Sequence, residues 1–332
     1  MIEIRELNEV NLIDFLNLLG TRGNLDYDFY SKKYVNQNFY GGFIAYIDKH
    51  PAGCLGFTKR EIRINEEKKQ IAWFNDWYVQ EEFRGNNIGV KLLKSVGEYY
   101  GLSCGIITPE NSGKIAPKAG FKLNFGLLYE CKFPLKPFKI GYNKYYRNGQ
   151  YSDTIFKRII RAFVFKLKSN FNIDRCIKFP IMEFKPEYLK DIRDEKQDNS
   201  SFLVSDSKFL GFIIDYLKKF SNVKRDFWYI NMNKNLLFGF NQSLPNKTTQ
   251  SVLLYASNLD ADNIYQVYSQ LIHSLNQTDK RIDQVNILLD FKTRTKFDLS
   301  NLFARELPFF TYNLNGQKNH FFYHIDKESS WC

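Results

Sequence analysis

The segment 84–89, Arg-Gly-Asn-Asn-Ile-Gly, has the residue types and the spacing of an anion-binding loop. It follows a run of strand-forming residues and precedes a helical pattern that begins near Asn87. Where a strand, a glycine-containing loop and a helix follow one another, backbone N–H groups and the positive end of the helix dipole converge on one point. Gly85 and Gly89 permit close approach of the backbone, and Arg84 adds a guanidinium that can bind two oxygens at once. The segment therefore predicts a phosphate-binding loop.

The elements that must position this loop form an α/β series over the first 135 residues. Apolar residues at helical spacing predict helices over 8–20, capped by Asn8, and over 27–35. Apolar, β-rich runs predict strands over 42–47, 54–57, 71–79 and 104–108, and a helix over 87–100 separates the last two. The loop is thus expected at the end of a central strand, at the start of the longest helix in this half.

The same order of elements recurs after about residue 180. Strands are predicted over 227–230, 236–240, 252–255 and 285–289, with a helix over 264–275 before the last of them. The paired runs 54–57 and 236–240 both end in Gly-Phe, and the pattern as a whole indicates a tandem repeat of one unit. The second copy has the acidic segment 257–262 in place of the arginine-glycine loop, and acidic residues repel phosphate. Only the first copy is therefore predicted to bind one.

Between the two copies the pattern weakens into sequence rich in Lys, Arg, Phe and Tyr. The run 155–163 has the alternation of a basic amphipathic helix, which would serve as a surface connector or would dock on RNA or a membrane. The predicted organisation is a domain with the phosphate-binding loop over 1–135, a connector over 136–179 and a degenerate second copy over 180–332.

The amino-acid composition constrains the class of protein but does not identify its binding partner. The 332 residues include 47 Lys and Arg against 36 Asp and Glu, a net charge of +11 that suits a phosphorylated or polyanionic partner without choosing one. The five cysteines are odd in number and lack the spacing of a disulfide framework or a zinc site, so no metal is expected. No secretory signal and no run of about 18 uncharged apolar residues is present, which predicts a cytoplasmic protein without integral membrane association.

The loop and its surroundings resemble the GNAT superfamily of CoA-dependent N-acetyltransferases. In that family the pyrophosphate loop reads Arg/Gln-x-x-Gly-x-Gly/Ala before a helix, and here Asn87 stands where the first motif glycine is usual. Asparagine tolerates left-handed torsions better than other non-glycine residues. Asn111, followed by Gly120-Phe121, resembles the family's next helix and strand entry. The implied fold class is α/β (α+β), with tandem GNAT-like domains that each hold a mixed, mostly antiparallel twisted sheet flanked by helices.

The resemblance implies acyl-CoA as co-substrate and assigns its contacts. Val79 would pair by its backbone with the pantetheine arm, the loop would hold the pyrophosphate, and Asn111 would lie near the thiol end. The residues assigned to the cofactor are Trp77, Val79, Arg84, Gly85, Asn86, Asn87, Ile88, Gly89, Val90 and Asn111. For Val79 and Ile88, packing in the core is an alternative that is compatible with this role.

The catalytic groups are less clearly marked. Strand alternation places Trp73, Asn75 and Trp77 on one face, and Phe74, Asp76 and Tyr78 on the other. The resemblance implies that the Asn75 face looks into the acceptor site. Because an amide cannot take a proton, the acceptor amine would lose its proton to water, to a carboxylate such as Asp76, or before it binds. Asp76 could equally be a structural partner for Arg63 or for a helix end.

Ala116 occupies the place where many members of the family carry a tyrosine that acts as the acid. Ser112, Tyr129, Tyr78 and Thr108 remain as substitutes, or the thiolate leaves without an acid. The candidate catalytic residues are Asn75, Asp76, Ser112 and Tyr129. The expected reaction is direct attack of an amine on the thioester, with no acyl group on Cys104 or another thiol.

Tandem proteins of this length resemble bacterial acyltransferases that modify amino sugars for surface polysaccharides such as O-antigen. The resemblance implies a nucleotide sugar as the acceptor, with a dTDP-linked 3-amino-3,6-dideoxyhexose as the first choice. The acyl group transferred from CoA would be acetyl or 3-hydroxybutyryl. The charge and the abundant aromatic residues suit a diphosphate and a stacked thymine. A peptide amine, a tRNA-linked amine and a non-catalytic RNA-binding module are the alternatives. Nucleic acid is not the leading partner, and a homodimer is left open.

Overall fold

The computed structural model describes residues 1–21, 27–36, 38–64, 67–106, 110–125, 128–136, 139–140, 179–191, 201–204, 207–220, 223–232, 235–244, 247–257, 259, 263–290, 304–307, 309–312 and 320–321. Within these ranges the chain forms two mixed sheets with helices against them. The basic run 155–163 lies outside the described residues.

The first sheet is built mainly from the first part of the chain. Its early strands are β1 (Ile2–Glu6), β2 (Tyr40–Ile47), β3 (His50–Ile64), β4 (Glu67–Val79), β5 (Ser103–Ile106) and β6 (Lys122–Asn124). Neighbours from β1 to β4 pair antiparallel, and β4 pairs parallel with β5. The helices are α1 (Leu12–Gly20), α2 (Tyr27–Val35), α3 (Ile88–Tyr100) and α4 (Glu110–Ile115). Short 3-10 turns cover Glu81–Phe83 and Ala116–Ala119.

Strand alternation explains the layers around this sheet. Phe43 and Ala45 of β2 face a core that includes Leu92 and Leu93 of α3, whereas Ile44 and Tyr46 face the core that contains α1 and α2. The helix α1 begins later than predicted. Its N-cap is Asn11, because the side chain of Asn8 accepts hydrogen bonds from the backbone of Val10 and Asn11 and forms a turn instead.

The second sheet repeats the order of the first. Its strands include β7 (Leu128–Pro134), β8 (Met182–Glu183), β10 (Arg225–Met232), β11 (Asn235–Ser243), β12 (Thr249–Ala256), β13 (Gln284–Asp290) and β14 (Ala304–Glu306), and a short strand β9 (Ser201–Val204) pairs with the first sheet. The pairs β10–β11 and β11–β12 are antiparallel and β12–β13 is parallel, as in β2 to β5. The helices are α5 (Ser207–Phe220) and α6 (Ile264–Thr278), and a 3-10 helix covers Pro186–Asp191.

The two sheets exchange strands. The strand β15 (Phe309–Tyr312), from the end of the chain, lies between β5 and β6 in the first sheet and pairs antiparallel with both. In the second sheet β7 takes the corresponding place between β13 and β14. A last strand, β16 (His320–Phe321), pairs with β9. Each copy therefore completes the sheet of the other.

Asp283 directly precedes β13 and binds the residues that follow the exchanged strand β7. Its side-chain carboxylate is buried. It accepts from the backbone N–H of Thr249 at 2.8 Å and pairs with Lys139 at 2.8 Å and with Lys136 at 3.2 Å. Its backbone carbonyl accepts from Leu135 and Lys136. These bonds fix the end of β7 to the start of β13.

The predicted fold class, tandem units with mixed and mostly antiparallel sheets flanked by helices, is confirmed. The predicted helices over 27–35, 87–100 and 264–275 and the predicted hairpins of both halves are present, with ends that differ by a few residues. The domain limits 1–135, 136–179 and 180–332 stay a prediction. Strand exchange crosses them in both directions.

Within the described residues, Cys54, Cys104 and Cys131 are buried and form no disulfide bond. The same ranges hold no group of three metal-ligating side chains, and none of their helices is long and apolar enough to cross a membrane.

Candidate active site

The loop after β4 has the backbone shape that an anion site requires. Asn87 is the N-cap of α3 and has φ 58° and ψ 19°, in the left-handed region, and Gly85 has φ 93°. Glycine is usual at such positions, and asparagine is the residue that replaces it at low cost. The predicted tolerance of Asn87 for this conformation is therefore confirmed. The Asn87 side chain makes no capping hydrogen bond, and the N–H groups of the first turn of α3 point out of the helix end.

Close packing of α3 on β4 brings this helix end to the sheet. A Cβ added to Gly89 would lie 2.8 Å from Cζ2 of Trp77, so only glycine fits there. The Trp77 ring thus lies under the first turn of α3, and its buried indole N–H has no hydrogen-bond partner within the described residues. Ile88 is buried beside it, while Arg84, Gly85, Asn86 and Asn87 are exposed and Val90 is half-buried.

Arg84 lies at the mouth of the loop and is held by the loop itself. Its Nε donates to the carbonyl of Val79 at 3.3 Å, and its Nη1 pairs with Glu81 at 2.9 Å. The two side chains are 56% and 79% exposed, so this ion pair is weak and an anionic ligand can replace Glu81.

Beside the loop, the edge of β4 that faces β5 opens. Parallel pairing between the two strands covers Ala72 to Phe74 on β4 and, among the described residues, ends there. From Asp76 to Val79 the strand keeps its pairing with β3, and the side chains from Asn75 to Val79 are half-buried except for that of Asp76. This edge offers backbone groups to an extended ligand, in the manner of an added strand.

A β-bulge at Asn75 changes which side chains share a face. The register passes from the pair Gly56–Asp76 to the pair Phe57–Phe74, which leaves Asn75 as the extra residue. The predicted alternation is therefore wrong. Trp73 packs with Ile62 and Cys104 while Trp77 packs on the α3 side, and Phe74 likewise faces α3 while Asp76 reaches α2. Strict alternation cannot continue through a bulge, and the bulge has no clear sequence signal.

The amide of Asn75 is used within the sheet. In the orientation that satisfies both its ends, its oxygen accepts from the backbone N–H of Thr58 at 3.2 Å and from the Thr58 hydroxyl, and its nitrogen donates to the carbonyl of Phe74 at 3.2 Å. Asn75 is thereby fixed at the bulge, beside the open edge.

Asp76 is buried and doubly engaged. Its carboxylate accepts from the Lys33 ammonium at 2.9 Å and from the Tyr34 hydroxyl at 2.6 Å, and 2% of the residue is exposed. Burial, with the neighbouring Asp76 charge, raises the pKa of the Tyr34 hydroxyl well above its usual range, so it remains a donor. The predicted alternative, a structural partner from a helix, describes this geometry, although the partner is Lys33 and not Arg63.

Other candidate residues lie apart from this site or outside the described side chains. Tyr129 is buried in β7, in the second sheet, where it pairs with Leu289 and Glu306. Asn111 and Ser112 are in α4, and their side chains are outside the described residues, as is Thr108. Ala116 is fully buried at the start of its 3-10 turn. The roles assigned to all these residues stay predictions.

Lys33 and Tyr34 were missed at the level of sequence. They lie in a helix whose pattern is only weakly amphipathic, and their partner Asp76 is 43 and 42 residues away. A lysine between two tyrosines in the sequence Tyr-Ser-Lys-Lys-Tyr carries no local signal that separates it from its exposed neighbour Lys32.

At the corresponding place in the second copy, the described residues that follow the bulge are buried, apart from the N-cap of the next helix. Its bulge leaves Leu254 as the extra residue, and the rest of β12 after it, Tyr255 and Ala256, is buried. The helix α6 begins from Asn263 in a right-handed conformation, and Leu259 of the preceding loop is also buried. The left-handed N-cap of the first copy is not repeated at Asn263.

Comparison with known proteins agrees with this architecture. Residues 9–106 match the model of the acetyltransferase (GNAT) family. No curated protein matches the chain in sequence. The structure resembles a GCN5-related N-acetyltransferase from Anabaena variabilis (TM-score 0.60, 11% identity, 94% of this chain and 72% of that one). It also resembles one from Kribbella flavida (0.57, 9%, 94% and 71%) and Saccharomyces cerevisiae N-myristoyltransferase with bound myristoyl-CoA (0.53, 11%, 96% and 84%).

These likenesses, at low identity, show the fold. The family match, and not these likenesses, identifies residues 9–106 as a GNAT acetyltransferase domain, in agreement with the predicted enzyme class, an acyl-CoA-dependent N-acyltransferase.

Proposed function

We propose that the first copy binds acyl-CoA between the start of α3 and the open edge of β4 and transfers the acyl group to an amine. The observation that carries this proposal is the left-handed N-cap at Asn87, with Gly85 before it, at the uncapped end of α3. The N–H groups of this turn and the helix dipole would hold the pyrophosphate, as they do in other anion sites at helix N-termini.

The remaining parts of the cofactor would follow the strand. Val79 and the residues before it present an edge that β5 does not cover, so the amides of the pantetheine arm would pair there. This course leads from the loop towards the bulge at Asn75. The thioester would then lie beside Asn75, at the point where β4 and β5 separate.

The reaction would be direct. The neutral amine attacks the thioester carbonyl, the tetrahedral intermediate collapses with cleavage of the C–S bond, and the amine proton passes to water or to the departing thiolate. Asn75 and Asp76 both have their hydrogen bonds within the protein. Loss of the amine proton before binding or to water therefore remains the simplest course, and backbone groups at the bulge would polarise the carbonyl.

For the acceptor, we propose a dTDP-linked amino-dideoxyhexose, with a 3-amino-3,6-dideoxyhexose as the first choice and an acetyl or 3-hydroxybutyryl group transferred. The net charge of +11 suits a diphosphate, and the 21 tyrosines and 31 phenylalanines offer surfaces for a stacked base. Phe212 of α5, in the second copy, packs against Tyr40 of β2 with ring centroids 5.8 Å apart, and the second copy would supply a wall for the acceptor. A single domain would lack such a wall for a bulky acceptor.

The cofactor proposal is tested by calorimetry with acetyl-CoA on two matched variants. Arg84→Ala removes one charge-assisted phosphate contact, for which about 1.5 kcal/mol and thus about a tenfold weaker Kd is expected. Glu81→Gln removes only the competitor for the guanidinium, so binding should be unchanged or slightly tighter. Equal losses in both variants would mean that Arg84 supports the loop and does not contact phosphate.

The acceptor proposal needs a separate assay. Thiol release with acetyl-CoA and with 3-hydroxybutyryl-CoA is measured against a dTDP-amino-dideoxyhexose, the free amino sugar and a peptide with a free N-terminus. We expect turnover with the nucleotide sugar alone. Faster turnover of the peptide would show that the acceptor is a peptide amine and that the nucleotide-sugar proposal is wrong, while the enzyme class would be unchanged.

A further inference from the structure

A buried group of charges lies behind the bulge of β4. Lys33 and Asp76 are both 2% exposed, and they form the ion pair of 2.9 Å to which the Tyr34 hydroxyl adds its bond. We call these three residues the Lys33 cluster. The rings of Tyr30, Tyr34 and Tyr40 surround the ammonium, with centroids 5.5, 5.4 and 5.2 Å from its nitrogen. The charge is therefore held by one carboxylate and three aromatic faces.

The cluster touches the bulge directly. Asp76 follows the extra residue Asn75, and Gly56 is its partner on β3. A Cβ on Gly56 would overlap the hydroxyl of Tyr34 and lie 2.6 Å from its Cζ, so the tyrosine occupies the space that a side chain would take. Lys33 and Tyr34 belong to α2, so this contact fixes α2 to the strand at the point where its pairing shifts.

In the second copy, uncharged aromatic residues fill the space that the Lys33 cluster fills in the first copy. By its register, Tyr255 takes the place of Asp76 and Phe238 the place of Gly56. Both are buried, and their rings lie 6.0 Å apart. A buried ion pair is weak support for stability, since apolar residues of similar volume often do as well or better. The second copy of this chain shows that aromatic residues can replace the ion pair at a bulge of the same kind.

We propose that Lys33 and Tyr34 are positioning residues for acyl transfer. They hold Asp76 and thereby fix the bulge, which sets where the β4 edge presents the thioester to the acceptor amine. This inference rests on the proposed function. Because the pyrophosphate loop is on the α3 side of the sheet and the cluster on the α2 side, the cluster should govern kcat and leave the affinity for acyl-CoA unchanged.

The test uses a charge-balanced double variant, Lys33→Met with Asp76→Asn. Either single change leaves a buried charge without its partner and is expected to unfold the protein or weaken it greatly, whereas the double change leaves none. For the folded double variant we expect a Kd for acetyl-CoA within about threefold of the parent, and a kcat about 100-fold lower, the scale of a displacement of about 1 Å at a reacting centre. Tyr34→Phe keeps the ring over Gly56 and should lower kcat less, about tenfold.

Three outcomes decide the matter. A kcat equal to the parent's would show that the cluster only stabilises the fold and would overturn the proposal. If Asp76 were instead the base, the acid limb of the kcat/KM against pH profile would disappear in the double variant, whereas positioning leaves the shape of the profile unchanged. Hydrogen exchange of the backbone amides around Asn75 should quicken in the double variant, and unchanged exchange would also contradict the proposal.

Failure of the proposed function would look different. It would appear in the parent protein, as no binding of acetyl-CoA and no thiol release with any acceptor. The exchange measurement would still test in that case whether the Lys33 cluster fixes the bulge.

Discussion

The two copies in this chain share a sheet order and differ at the bulge of the strand before their longest helix. In the first copy the strand beyond the bulge is half-buried, and its loop carries Gly85 and Asn87 in left-handed conformations. In the second copy the same stretch of strand is buried, and the loop places Leu259 in the core. A common architecture thus leaves this part of the strand half-buried in one copy and buried in the other. The difference teaches that the site depends on a few residues at the bulge and not on the fold itself.

The two copies cannot be compared as independent domains, because they exchange strands. The first sheet depends on β15 from the end of the chain, and the second depends on β7. The first copy therefore has a sheet that is complete only with a strand from the second.

The largest expected effect follows from this exchange. Residues 1–135 expressed alone should not form a folded domain, since β5 and β6 lose the strand between them and β7 has no sheet to join. Circular dichroism and amide exchange would show it. Residues 1–125 followed by a linker and residues 307–312 restore the missing strand and should recover native-like protection. A stable, protected fragment 1–135 would show that the exchange is dispensable.

The next effect concerns the glycines beside the two bulges. Gly239→Ala should cost more than 3 kcal/mol, the upper part of the range for overpacking, because the new Cβ would overlap both Trp228 and the backbone carbonyl of Val252. Gly56→Ala should cost somewhat less, since the overlap there is with the side chain of Tyr34. Urea unfolding measures both.

Gly101→Ala is the control for these variants. This glycine ends α3 at φ 68° with no heavy atom within 4 Å of an added Cβ, so only the backbone cost of about 1 kcal/mol is expected. If Gly56→Ala were as mild as this control, the tight contact of Tyr34 with the bulge would be wrong.

The smallest effect tests the loop that distinguishes the copies. Asn87→Val places a β-branched residue at φ 58° and should destabilise the protein by about 2 kcal/mol and weaken binding of acetyl-CoA. Asn87→Gly is the matched control and should keep or slightly improve both. A valine variant that binds as well as the parent would remove the left-handed N-cap from the proposed cofactor site. Thermal melts and calorimetry give the two readouts.

Much of the fold was predictable because it depends on local periodicity. The spacing of apolar residues predicted α2, α3 and α6 and both hairpins, and the match of the two halves predicted the tandem repeat. The strands β9 and β15 were not predicted. They are short, and their pairing partners are more than a hundred residues away in sequence, so no local pattern specifies them.

The site divides in the same way. The loop from Arg84 to Gly89 was predictable, since helix ends and left-handed turns have characteristic residues. The faces of β4 were predicted wrongly, because a single extra residue at Asn75 reverses every later side chain. Lys33 and Tyr34 could not be found, since only the folded chain brings them to Asp76.

The sequence by itself determined that this chain contains two α/β copies and that one of them carries the arginine-glycine pattern that is predicted to bind phosphate. Those properties reside in residues close together in the chain, whose torsions and periodicity are set by their own chemistry. Only the tertiary structure decided which copy completes which sheet, where the bulge falls, and which charge is buried beside it. These depend on pairing and burial between distant segments, where the free energy comes from contacts that no local stretch of sequence contains.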